Sequence, residues 1–297
     1  MRPQTQKNGF LGADEGQSFQ TPYRQARTVI IPFGFEATVS YGGGTKRGPQ
    51  AIINASYQVE TFDEQTFTSP YKTGIATLAE TAIPKKIPRA LKKLGRLVGQ
   101  VLADKKFPVV LGGEHTLSFA VAQALSKKFA NLSVVHFDAH SDMRKSYEGN
   151  PYSHASVMYR VLKFLPVKRI VQIGIRNLSD LDGELDFRDK QRARIKTFWA
   201  WEKLSPQGIA EAIPTKNVFI SFDVDVFDPS IMPSTGTPEP GGLTWWQTLK
   251  ILKRIFMKKN VVGADIVELA PIKGLHAPDF LVAKLAHKII GFKFAKN

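Results

Sequence analysis

The chain contains no cysteine. Disulfides, thiolate metal ligands and cysteine nucleophiles are therefore excluded. No apolar run approaches the ~20 residues that a membrane-spanning helix needs. The first residues, MRPQTQKNGFLGADEGQ, lack the apolar segment of a secretory signal. A cytoplasmic protein with no membrane partner is the expectation. Acidic residues are scarce: 26 Asp and Glu stand against 41 Lys and Arg, a formal net charge of +15. An excess of that size attracts polyanions in some proteins. Here the basic residues are spread, with concentrations at 85–96, 188–196, 253–259 and 284–296, and no module that reads bases accompanies them. Solvated faces are the simpler reading, and nucleic acid is not an expected partner.

What is present reads as α/β. Short runs rich in Val, Ile and Phe occupy 28–33, 107–111, 132–137, 169–173, 217–222 and 261–267. They do not alternate with polar residues, which is how strands buried on both faces read. Between them lie helical spacings: Ile87, Leu91, Leu94, Val98 and Val101; Leu117, Val121 and Leu125; Leu281, Leu285 and Ile289. Strands alternating with helices predict a largely parallel sheet covered on both sides. There is no internal repeat or linker. The expected organisation is one catalytic domain over 26–297, with residues 1–25 as a poorly packed N-terminal arm. The charged stretch 180–194 is expected to be a surface excursion, and Thr197, Phe198, Trp199 and Trp201 to be packing residues.

In open α/β sheets ligands bind beyond the carboxyl ends of strands, and the reactive side chains fall there. Strand 107–111 runs into Gly-Gly-Glu114-His115. Strand 132–137 runs into Asp138, His140 and Asp142 in a D-x-H-x-D pattern, whose period of two places all three on one side of an extended segment. Strand 217–222 ends in Asp223 and Asp225, and strand 261–267 in Glu268. A lone D-x-D is often only a turn or a helix cap. Four carboxylates and two imidazoles at successive strand ends need cations to offset their repulsion. They suit Mn²⁺, with Zn²⁺, Ni²⁺ or Co²⁺ as other candidates, in a two-ion arrangement.

The blocks LGGEHT (111–116), FDAHSD (137–142), SFDVDVFDP (221–229), GTPEPGGLT (236–244) and DIVELAP (265–271), with GTKRGPQAI (44–52) and IGIRN (173–177), resemble the ureohydrolase family of arginases and agmatinases, over about 29–286. The resemblance implies a three-layer α-β-α fold and two Mn²⁺ per chain. It implies that His115, Asp138, Asp142 and Asp223 hold one ion and His140, Asp138, Asp223 and Asp225 the other. It implies that Glu268 binds the substrate guanidinium, that His154 shuttles protons, and that the chain forms a homo-oligomer, a trimer or hexamer.

The chemistry these residues would perform is hydrolysis of a guanidino compound to urea and an amine. Asp142 would aim the nucleophile, Glu268 pair with the guanidinium, and His154 protonate the leaving amine. His136, inside a strand, reads as a core residue or a support for the site, and His276 and His287 as structural or surface. The loop 143–153, MRKSYEGNPYS, lacks the asparagine- and threonine-rich character of arginase loops, and GTPEP, with Glu239, looks agmatinase-like. Agmatine, a small cationic substrate, is therefore expected, with Glu239, Glu148, Tyr147 and Tyr152 as candidates for its tail. Arginine, aminopropylagmatine and guanidinobutyrate, the last with Arg144 or Lys145, are the alternatives within the family. Outside it stand a metal-dependent amide deacetylase, which Glu268 and the GTPEPGG block oppose, and a polyanion-binding protein that keeps a metal site.

Overall fold

All six apolar runs become strands in the structure, a computed structural model that describes residues 4–6, 8–14 and 17–295. Two further short strands complete one eight-stranded sheet. In chain order the strands are β1 (Thr28–Phe33), β2 (Ile75–Thr77), β3 (Phe107–Gly112), β4 (Leu132–Phe137), β5 (Val167–Ile175), β6 (Ile195–Trp199), β7 (Asn217–Asp223) and β8 (Asn260–Val267). Their spatial order is β2-β1-β3-β8-β7-β4-β5-β6, and every pairing is parallel. The sequence predicts neither β2 nor β6. Both are short edge strands, and β6 is half-buried, so neither carries the continuous apolar run of an inner strand.

Helices cover both faces, which is why the inner strands are apolar throughout. On one side α2 (Ile87–Ala103), α3 (Ser118–Lys128) and α4 (Val157–Phe164) pack on Val29, Ile31, Val110 and Val134. On the other, α1 (Gly48–Ser56), α6 (Pro206–Ala212), α7 (Trp245–Lys258) and α8 (Ala277–Phe294) pack on Ile30, Val109, Leu111, Val135 and Phe137. In α2 the buried stripe is Leu91, Leu94, Val98 and Val101, at the predicted spacing, and its lysines face out. Thr244 and Gln247 form a reciprocal cap that starts α7.

Three expectations need correction. The N-terminal stretch is not a poorly packed arm throughout: Phe10 and Leu11 are buried, the Leu11 amide donates to Ser56 Oγ, and Gln6 donates to the Thr77 carbonyl on β2. It covers part of an otherwise open sheet edge. The stretch 180–194 forms α5 (Glu184–Lys190), which turns Glu184 and Phe187 inward. Among the basic residues near the C-terminus, Lys288 is fully buried and ion-paired to Asp63 at 2.9 Å and Glu64 at 2.6 Å.

The strand order explains where the chemistry sits. β3 and β4 are consecutive in the chain but separated by β8 and β7, which return later and fill the centre. The four central strands thus deliver LGGEHT, Glu268, D-V-D and D-A-H-S-D side by side at one sheet edge. Gly113 lets the β1 loop close over them, since a Cβ there would lie 2.0 Å from the Phe35 carbonyl oxygen.

Candidate active site

His115 is buried, and its Nδ1 lies 3.1 Å from Asp138 Oδ2, 3.1 Å from Asp142 Oδ2 and 3.2 Å from Asp223 Oδ2. That nitrogen has no hydrogen-bond partner. The opposite ring nitrogen, Nε2, is 3.0 Å from Ser221 Oγ, and that hydroxyl donates to Asp265 at 3.0 Å. With its proton committed, Ser221 can only accept, so Nε2 carries the ring hydrogen and Nδ1 presents a lone pair. Three carboxylate oxygens and one lone pair converge on one point. Burial disfavours charge on His115, yet the three carboxylates outweigh it and raise its pKa well above the usual value. Burial, then Asp225 and Asp138, pushes the Asp223 carboxyl well up. The pocket is short of positive charge, and the donor set fits a divalent ion.

A second group adjoins it. His140 Nδ1 lies 2.9 Å from Asp225 Oδ2 and 3.6 Å from Asp138 Oδ1. Asp138 thus offers one oxygen to each group. Asp223 Oδ2 joins the first group, while its Oδ1 accepts from the Asp225 amide at 2.9 Å and caps the short turn that follows β7. Asp225 Oδ1 accepts from the Ala139 amide at 2.9 Å, which ties the two acidic loops together.

Support comes from His136 and from residues to which sequence reasoning gave no role. Gln172 Nε2 donates to the Ser141 carbonyl at 2.9 Å and faces His136 Nδ1 at 3.1 Å, while Gln172 Oε1 accepts from Arg188 at 2.6 Å. His136 Nδ1 must then accept, so its Nε2 donates to Asp138 Oδ2 at 2.7 Å. His136 therefore holds a carboxylate in place and is not itself a ligand. Arg176, in IGIRN, donates to the carbonyls of Asp225 and Glu239 at 2.8 Å each, pinning the D-V-D turn to the GTPEP loop.

The two groups floor a cleft of about 220 Å³. Glu268 lines it, half-buried, with Oε1 accepting from the His115 amide at 2.6 Å. Burial, then Glu114, raises its pKa well above the usual range, as for an acid awaiting a cation. Asp142 and Glu268 both adopt left-handed backbone, φ 56° and 66°. Strain of that kind is retained where the surroundings impose it, often at functional sites. His154 opens α4 through a short turn capped by Ser153 and lines the cleft, its ring edge-on to Tyr147. Glu239 also lines it, accepting from Asn177 at 2.5 Å and lying 3.7 Å from His140 Nε2. Glu148 does not: it is exposed at the tip of the 147–150 turn. Tyr152 faces a groove between α2, α3 and α4 instead, stacked on Arg160. Of the two basic candidates, Arg144 lines the cleft and Lys145 turns to Asp186. Sequence reasoning missed Thr38 and Ser40, on the loop after β1, and Glu184, at the start of α5, which line or brace the cleft without a motif.

A model of the arginase family matches residues 26–291. An N(1)-aminopropylagmatine ureohydrolase of Synechocystis is 40% identical over 92% of this chain and 90% of its own. An agmatinase of Bacillus cereus is 31% identical over 84% of this chain and 86% of its own. The crystal structure of agmatine ureohydrolase of Thermoplasma volcanium, 30% identical, superposes with a TM-score of 0.85 over 96% of this chain and 94% of that one. The chain belongs to the arginase family of ureohydrolases.

Proposed function

We propose that the chain is a two-metal hydrolase of linear guanidino-alkylamines that releases urea and an amine, with N1-aminopropylagmatine preferred and agmatine next. The observation that carries the substrate class is the charge of the cleft lining. Asp142, Glu184, Asp223, Asp225, Glu239 and Glu268 face it, against one arginine, Arg144. Three of those acids belong to the metal groups, which leaves Glu184, Glu239 and Glu268. Arg144 lies 3.5 Å from Asp182 and stacks on Tyr147. A carboxylate tail, as in arginine or guanidinobutyrate, finds no unshared cation, whereas an ammonium tail is welcome. The motifs alone favour agmatine. The higher identity to N(1)-aminopropylagmatine ureohydrolase moves the first choice to the longer diamine.

His115, Asp138, Asp142 and Asp223 would hold one ion, and His140, Asp138 and Asp225 the other. When bound, two divalent ions, Mn²⁺ in this reading, offset the carboxylates and make water acidic enough to act as a nucleophile near neutral pH. Asp142 accepts a hydrogen bond from the attacking water and aims it at the guanidinium carbon. Glu268 pairs with guanidinium N–H groups and holds the carbon in line. His154 gives a proton to the amine as the carbon–nitrogen bond breaks.

The test is urea release from N1-aminopropylagmatine, agmatine, arginine and guanidinobutyrate at equal concentration. Either amine should exceed either acid by about tenfold or more in kcat/KM, since a carboxylate without a partner in a partly dry site is costly. Arginine or guanidinobutyrate as the best substrate would overturn the substrate class.

A further inference from the structure

Glu114, in LGGEHT, is fully buried and faces the loop after β1. Its Oε2 accepts from the amides of Ala37 at 2.5 Å and Thr38 at 2.6 Å, and its Oε1 accepts from the Thr38 hydroxyl at 2.9 Å. A carboxylate only accepts, so the single hydroxyl proton of Thr38 is committed to it. Toward His154 the Thr38 oxygen can then only accept. It does so from the His154 amide at 3.1 Å, and it stands 3.2 Å from His154 Nδ1. The other neighbour of Nδ1, Ser153 Oγ, is farther off at 3.4 Å and accepts from the Ala155 amide. The nearer oxygen, Thr38 Oγ1, has no free proton, and so favours the neutral ring with its hydrogen on Nδ1. Nε2 has no hydrogen-bond partner among the described residues and is left to the cleft.

We infer that Thr38, held by Glu114, is a positioning residue that fixes the tautomer and the aim of His154, so that Nε2 alone exchanges the proton of the reaction. The inference rests on the proton-delivery role proposed above for His154. In the protonated ring both nitrogens carry hydrogen, and Thr38 retains the one on Nδ1. As the carbon–nitrogen bond breaks, its electron pair stays on the departing nitrogen. That pair takes the proton from Nε2, and the ring returns to its neutral Nδ1–H form. Without the Thr38 hydroxyl, the neutral ring is free to place its hydrogen on Nε2, where it can no longer accept the next proton, and free to turn about its side-chain torsions. A hydroxyl three residues after Phe35 carries no sequence signature. Only the approach of the β1 loop to the end of β3 brings it to His154.

The experiment compares Thr38→Val, which keeps the shape, with Thr38→Ser, which keeps the hydroxyl, each also in a His154→Asn background. Metal content and thermal midpoint are checked for every variant. Thr38→Val should lower kcat by about 10- to 100-fold, the scale of one buried hydrogen bond to an ionising group, with KM little changed. Thr38→Ser should stay within about threefold of wild type, and Thr38→Val should cost nothing more once His154 is Asn. Ring ¹⁵N spectra of the zinc-loaded protein should show Nδ1–H at His154 in the wild type and a shift toward Nε2–H in Thr38→Val. An unchanged kcat in Thr38→Val, an equal loss in Thr38→Ser, or a loss that multiplies with His154→Asn would overturn the inference. If His154→Asn turns over like wild type, the proton-delivery role fails. The ¹⁵N spectra then decide alone whether Thr38 sets the tautomer.

Discussion

At the scale of single residues, Asp138 carries the most. Among the described residues it alone places an oxygen within 4 Å of both histidines, Oδ2 toward His115 and Oδ1 toward His140. Asp138→Ala should therefore lower the metal content from about two ions per chain to about none, whereas Asp225→Ala should leave about one, as a two-ion site with one shared ligand requires. Elemental analysis of Mn²⁺-loaded, desalted protein reads both. Full occupancy in Asp138→Ala would remove its shared role. The ligand set was legible in the sequence because its members sit in consecutive blocks at strand ends, and a period of two already turns Asp138, His140 and Asp142 the same way. The cleft wall was not legible in that way. Glu148 and Glu239 look alike as loop acids, but only Glu239 is drawn in, by Asn177. Glu148 sits at the tip of a tight turn and points to solvent. Which loop acid reaches a cleft depends on how loops from distant strands lean on each other, and no local spacing encodes that.

Between residue and fold, the elements show why a metal site needs its surroundings. α5 lies in a stretch that reads as a charged surface excursion, and most of its charges are indeed outside. Glu184 and Arg188 are exceptions, and Arg188 reaches inward to Gln172 at 2.6 Å and Ser141 Oγ at 2.7 Å. Burial lowers its pKa from the usual arginine value, with Glu184 acting in the other direction. Its hold on Gln172 fixes the amide, the amide fixes the His136 ring, and the ring fixes Asp138. Gln172→Leu removes that chain at its middle by replacing the amide with an apolar side chain of similar size. It should weaken metal binding by about 10- to 100-fold, the usual effect of losing the groups behind the ligands. Competition with a chelator measures it. A variant that is less stable but binds metal as wild type would reduce the network to packing. The same pattern divides what could be read at element level. Inner strands announce themselves because both faces are buried, and six of eight were found. β2 and β6 lie at the edges, are short, and owe their place to the neighbours they pair with. The N-terminal stretch owes its order to the β2 edge it covers.

For the whole molecule the question is charge. A net +15 opposes the approach of a cationic substrate, but exposed charges are screened within about 10 Å at moderate salt, and the cleft itself is acidic. Charge also enters the interior where α8 meets the loop around Asp63. His287, Lys288 and Asp63 are all fully buried there. Burial, then the positive charge of Lys284, depresses the His287 pKa from 6.5 to about 4; Asp63 acts in the other direction and Lys288 adds to the depression. Burial and the lysines outweigh Asp63 and the Thr61 backbone, so the folded protein holds this ring neutral. The unfolded chain, with a histidine near 6.5, binds the proton more readily. Folding stability from this group is therefore complete above about pH 6.5 and is lost as the pH falls from there toward 4. The Asp63 carboxyl, held below its usual value by Lys288 and the Thr66 and Gln65 amides although burial acts the other way, extends the loss further into acid. The full effect of His287 is on the order of 3 kcal/mol, of which most should be gone by pH 4.5. Denaturant unfolding at pH 7.5 and pH 4.5 should show a smaller drop in His287→Gln than in wild type, by about 2 kcal/mol, at a fixed metal load. The carboxylates of the metal site titrate in both proteins and cancel in the difference. Equal drops in the two proteins would show that His287 does not couple folding to pH.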